Sequence, residues 1–100
     1  MTRSTFSYRT KPGKRDDLVR TFERLAVLEA ASEEPGFLAA ELHVSLEDEE
    51  EALFFSAWAS PEHHERWLAH PVLETLDREL APLLAGGPES RLYRVVEAAS

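Results

Sequence analysis

The sequence contains no cysteine. That removes disulfides, thiolate metal sites and a cysteine nucleophile from consideration. Positive charge is also scarce, with 11 Lys and Arg against 19 Asp and Glu and a net charge of −8. An acidic chain repels a phosphate backbone unless a basic patch gathers. The only basic cluster, Lys11, Lys14 and Arg15, flanks the Pro12-Gly13 turn and reads as solvated charge, so no nucleic-acid partner is expected. No apolar run approaches the ~20 residues of a membrane span. Met1 to Thr5 lead straight into an alternating pattern with no apolar signal segment, which gives the expectation of a cytoplasmic protein. There is no glycine-rich phosphate loop, nucleotide fingerprint or serine-histidine-acid spacing. Gly86-Gly87 is too short for phosphate and reads as a helix stop.

What is present is ordinary for a globular protein, with 43% hydrophobic and 30% charged residues. A chain of 100 residues makes one domain, residues 1–100, and buries roughly two-thirds of its unfolded surface. Such a core is marginal and gains from a partner subunit.

Residues 3–10 alternate, with Phe6, Tyr8 and Thr10 on one side, and predict a strand ended by Pro12-Gly13. One helix is predicted from about Lys14 to Ala31, with Leu18, Phe22, Leu25 and Leu28 on a common face. Pro35-Gly36 stops it. Phe37 to Leu46 alternates again, placing Leu38, Ala40, Leu42, Val44 and Leu46 opposite Phe37, Ala39, Glu41, His43 and Ser45. The acid run Glu47 to Glu51 repels itself into water and reads as a hairpin tip. It has no glycine with which to fold back into a carboxylate cage. Leu53 to Ala59 is a strand apolar on both sides: Leu53, Phe55 and Ala57 on one, Phe54 and Trp58 on the other.

Ser60 is placed as a helix N-cap, with Pro61 in the first helical position. Pro71 interrupts that helix, and a second segment carries Leu73, Leu76, Leu80 and Leu83 or Leu84. Gly86-Gly87-Pro88 breaks the chain before a last strand at Arg91 to Val96. The order βαββαβ is the ferredoxin-like α+β arrangement, a four-stranded antiparallel sheet with its helices on one face. A strand apolar on both sides needs cover on both. With the helices on one face, the face assigned to Phe54 and Trp58 is expected to be covered by a second copy of the chain, or to border an apolar ligand cavity.

Two segments carry a family resemblance: Pro35-Gly36-Phe37-Leu38 entering a strand, and Phe55-Ser56-Ala57-Trp58-Ala59-Ser60-Pro61-Glu62 leading from strand to helix. With the acidic hairpin between them, this resembles the antibiotic biosynthesis monooxygenase (ABM) family over about residues 3–97. The resemblance implies a dimeric α+β barrel formed by two ferredoxin-like subunits. It also implies cofactor-free oxygenation of an electron-rich aromatic, a phenol or quinol of polyketide type, with O2 as co-substrate. In an aromatic-polyketide monooxygenase of that family the active groups run Asn, Trp, Tyr, Arg. Laid on this chain without gaps, they fall on Phe54, Trp58, His64 and Arg78. Trp58 and Arg78 match; Phe54 has no amide to bind oxygen or a phenolate. The haem-degrading branch needs a His where this chain has Asp77 and an Asn in a first strand that has none, so haem is not implied.

His64 and His43 are the candidate general bases and Arg78 the candidate cation over a developing oxyanion. Trp58, Phe54 and Trp67 are the candidate walls of a substrate pocket. Each has a plainer reading: Trp58 as core, His43 as a surface or interface residue, Arg78 as half of an ion pair with Glu74. His63 and His64 are adjacent on a helix and diverge by about 100°, so no metal is expected, and no cofactor. His70, before Pro71, reads as a cap. Two functions stay open: the cofactor-independent oxygenase, and a non-catalytic small-molecule-binding or structural dimer module on the same fold. Phe54 favours the second.

Overall fold

A computed structural model describes residues 1–100. Four strands are present: β1 (Thr2–Arg9), β2 (Phe37–Val44), β3 (Glu51–Trp58) and β4 (Glu89–Arg94). They form one antiparallel sheet in the order β2-β3-β1-β4. Four α-helices are α1 (Arg15–Arg24), α2 (Val27–Ser32), α3 (Pro61–Leu68) and α4 (Pro71–Leu80), and a 3-10 turn follows at Ala81–Leu83. This is the ferredoxin-like α+β fold, with the core between helices and sheet. Phe22 of α1 meets Phe54 edge-on at 5.3 Å and Tyr8 at 5.9 Å between ring centres. Trp67 of α3 stacks on Trp58 at 5.9 Å.

These contacts correct the face assignment. Phe54 and Trp58 are buried beneath the helices, in register with Phe6 and Thr2 of β1. The open face instead carries Leu53, Phe55 and Ala57, aligned with Ser7, Thr5 and Arg3. Alternation defines two sides of a strand but not which one the helices take. One phenylalanine stands on each face and Ala57 is buried in any case, so the choice turns on Trp58 against Leu53, and the indole removes more apolar area from water.

Three boundaries also differ from expectation. The long helix is two, because Leu25 ends α1 and Ala26 adopts a left-handed φ of 52° before α2 begins. No glycine or proline announces that break. It turns Val27 and Ala31 fully inward, and that burial offsets a backbone cost of about 1–2 kcal/mol. In β2 the register shifts between Phe37 and Ala39. The irregularity swings Phe37 onto Trp58, edge-on at 5.7 Å, and leaves Leu38 exposed. The same strand stops at Val44, because the Ser45 hydroxyl accepts from the Glu47 and Asp48 amides and turns the chain; Leu46 is therefore in solvent.

The acid run is the expected hairpin tip, but Arg15 is more than solvated charge. Its guanidinium donates to the carbonyls of Ser45, Asp48 and Glu51 at 3.0, 2.8 and 3.3 Å. Arg9 pairs with Asp48 at 2.7 Å and holds that carboxyl below its ordinary range. At the other end, Ser60 caps α3 by accepting from the His63 amide. His70 caps α4 through Nδ1, which accepts from the Val72 amide at 3.0 Å, as its place before Pro71 suggested. No helix is long and apolar enough to cross a membrane.

Candidate functional site

The residues singled out in the sequence fall into four separate places. Trp58, His64 and Trp67 form one packed cluster where α3 crosses the sheet. His64 meets Trp58 at 6.4 Å between ring centres, and the Trp58 indole N–H donates to the Ser56 hydroxyl at 2.9 Å. The cluster is solid: both tryptophans are fully buried and His64 nearly so. Two polar atoms inside it, His64 Nε2 and Trp67 Nε1, have no hydrogen-bond partner. Burial pushes the His64 imidazole below its ordinary pKa and favours the neutral ring.

Arg78 and His43 are elsewhere. Arg78 is exposed on α4, beside the Arg24–Glu79 ion pair, where its charge helps hold the Glu79 carboxyl down. The structure does not bring it to Trp58 and His64. His43 is exposed on the open sheet face, stacked on Phe55 and paired with Glu41 at 2.8 Å.

Phe54 lies on a cavity. A narrow pocket of about 90 Å³ between sheet and helices is lined by Phe6, Tyr8, Phe54, Leu68, Leu73, Leu76 and Asp77. Tyr8 and Asp77 also line a wider, open cleft of about 480 Å³, closed on its far side by Leu80, Leu84 and the Gly86-Gly87-Pro88 segment. These two side chains line both spaces. The cleft wall is anchored to the end of β1, where the Lys11 amide donates to the Leu83 carbonyl and the Ala85 amide to the Arg9 carbonyl, both at 2.8 Å. Mostly apolar walls with a few converging polar groups are the usual make-up of a small-molecule site.

Tyr8 is buried to 3% exposure. Its phenol is pushed well above its ordinary pKa by burial first and by the negative charge of Asp77 second, so it is a neutral donor throughout the physiological range. Asp77 lies at the rim and is exposed, and partial desolvation raises its carboxyl above the ordinary value. Sequence reasoning missed both residues, although a signal existed. Leu73, Leu76, Asp77 and Leu80 stand at i, i+3, i+4 and i+7, which puts one carboxylate on an otherwise leucine face.

Comparison with known proteins agrees with this architecture. A family model described as antibiotic biosynthesis monooxygenase matches residues 1–76. No curated protein matches the sequence. Among solved structures, a Nitrosomonas europaea protein named for the same activity superposes with a TM-score of 0.86 at 15% identity, covering 97% of this chain and 100% of that one. A Chloroflexus aurantiacus protein, also so named, gives 0.75 at 25% identity over 99% and 96% of the two chains. SnoaB, a cofactor-independent oxygenase from Streptomyces nogalater, gives 0.79 at 16% identity over 97% and 94%.

Proposed function

The chain belongs to the antibiotic biosynthesis monooxygenase family, and from that premise we propose that it is a cofactor-independent oxygenase acting on an electron-rich aromatic, a phenol or quinol of polyketide type. The observation that supports this is the pair of neighbouring cavities, lined by apolar residues and glycines except for Tyr8 and Asp77, which line both. Phe6 and Phe54, stacked on each other at 6.3 Å and 21°, give the narrow pocket an aromatic wall for the edge of a ring, and the adjoining cleft of about 480 Å³ has room for the rest of a polycyclic substrate. Once deprotonated, such a substrate passes an electron to O2 itself. Recombination of the two radicals and loss of water then leave one oxygen atom on the ring carbon in place of two hydrogens. The protein's part is to strip the proton, hold the anion and exclude water.

In this reading Phe54 is a pocket wall in place of an oxygen-binding amide. Trp58 at the end of β3, with Trp67 and His64 of α3, backs that wall and sets its shape. The active unit is a homodimer joined through the open sheet face, where Leu53 and Phe55 lie half-exposed and His43 is an interface residue.

Oxygen uptake tests the proposal. Anthrone-like substrates should be consumed one-for-one with O2 in protein free of added flavin, metal or haem, giving the ring ketone and water, and quinols should give the hydroxylated quinone and water. A chain that binds these compounds without any uptake is the small-molecule-binding module, the reading that Phe54 favours.

A further inference from the structure

We propose that Asp77 and Tyr8 are the acid–base pair of this cavity: the Asp77 carboxylate takes the proton of a phenolic hydroxyl, and the Tyr8 hydroxyl donates a hydrogen bond to the oxygen left behind. This rests on the reading that the cavity takes a phenol, and it assigns the chemistry to residues outside the Trp58–His64–Arg78 set. The step is a plain proton transfer. The substrate O–H bond breaks, its electron pair stays on the substrate oxygen, the proton goes to a carboxylate oxygen of Asp77, and Tyr8 keeps its own proton.

Four observations carry the assignment. Tyr8 and Asp77 are the two residues shared by the narrow pocket and the wide cleft, so a ring in the pocket presents a substituent to both. They are close enough for the charge of one to perturb the other. Every other residue of the narrow pocket is a phenylalanine or a leucine, and the wide cleft adds only Leu80, Ala81, Leu84, Gly86, Gly87 and Pro88. No competing acid or base therefore lines either space. Finally, desolvation makes Asp77 a stronger base than a solvated carboxylate, which narrows the gap to a phenol. Tyr8 stays protonated and serves as a donor placed where negative charge develops.

The charged neighbours lie outside this space. Arg78 follows Asp77 on α4 and is exposed. Arg24 of α1 is engaged with Glu79. Arg9, Glu51 and Glu89 line a groove that also touches Tyr8 and Gly87, but none of the three lines the pocket or the cleft. The cavity thus holds one titrating carboxylate.

The test uses the full chain and para-nitrophenol, whose two protonation states differ in colour and which ionises near neutrality. The wild-type protein should bind the neutral phenol, since the Asp77 carboxylate repels the phenolate, and affinity should fall as the probe ionises. Asp77→Asn should invert this and bind the phenolate more tightly, and Tyr8→Phe added to Asp77→Asn should abolish that preference. With a substrate that consumes O2, Asp77→Asn should lower kcat by roughly 10²-fold with KM little changed, and Asp77→Glu should restore part of the rate. Wild-type and Asp77→Asn proteins with the same pH dependence of binding would overturn the pair and leave the oxygenase reading standing. A wild-type protein that binds no phenol at all would overturn the oxygenase reading, and the pair with it.

Discussion

His64 shows how burial changes a residue's role. A histidine at the start of a helix, beside another histidine, invites a catalytic or metal-binding reading. In place, its ring is closed in by Trp58 and the body of α3, with Nε2 unpartnered. Desolvation lowers its pKa below the ordinary 6.5. The folded state therefore binds the proton less readily than the unfolded chain does. Its stability is fully present above pH 6.5 and is lost as pH falls below that value through the folded-state pKa. The expected outcome is a midpoint for urea unfolding that declines between neutral and mildly acid pH, and a flatter profile for His64→Gln. Equal slopes in the two proteins would show that other groups carry the acid sensitivity.

At the scale of elements, the junction of β2 with α3 depends on Gly36. Its φ of +78° disfavours any residue with a Cβ, and a Cβ there would come within 2.2 Å of the imidazole Cγ of His63. His63 cannot easily retreat, because its Nδ1 is hydrogen-bonded to the Ser60 hydroxyl at 2.8 Å, and Ser60 is the cap of α3. The Gly36 carbonyl in turn accepts from the Ala59 amide at 2.8 Å. The Pro35-Gly36-Phe37 turn and the Trp58-to-Pro61 segment, read from sequence as two separate signatures, thus interlock through a single close approach. Gly36→Ala should destabilise the protein by about 3 kcal/mol, part backbone strain and part overlap. Adding His63→Ala should recover the overlap and leave roughly 1 kcal/mol of strain. Thermal unfolding of the single and double variants measures both parts, and a harmless Gly36→Ala would refute the close approach.

For the whole molecule, the open sheet face governs assembly. Leu53 and Phe55 sit on it between polar neighbours, with His43 stacked on Phe55 and Glu41 beside it. An apolar centre with a polar rim is the composition of a protein interface. The proposed dimer should bury more than ~1,000 Å². Phe55→Asp puts an unpaired carboxylate at its centre and should weaken association by ~10²-fold or more. Sedimentation at micromolar concentration reads this directly: a dimer for the wild-type chain and a monomer for the variant. A wild-type monomer would remove the dimer from the proposal.

The order of elements was legible in the sequence because its signals are local. Period-two runs, the Pro12-Gly13 and Pro35-Gly36 turns, the Ser60 cap with Pro61, and His70 before Pro71 each act within a few residues. Together they allow little but the βαββαβ order. The resemblance around Pro35-Gly36-Phe37 and Trp58-Ala59-Ser60-Pro61 reached the family from residues that lock together in space.

What the sequence could not decide depends on which distant surfaces meet. Alternation cannot say whether Phe54 and Trp58 or Leu53 and Phe55 lie under the helices; that follows from the packing of Phe22 and Trp67. The break at Ala26 and the shift at Phe37 are local strains accepted because remote side chains become buried. The cavity is a further case. Tyr8 belongs to the first strand and Asp77 to the last α-helix, and neither carries a motif. Only folding puts this phenol and this carboxyl on the linings of the same two spaces, where burial raises the one and partial desolvation the other.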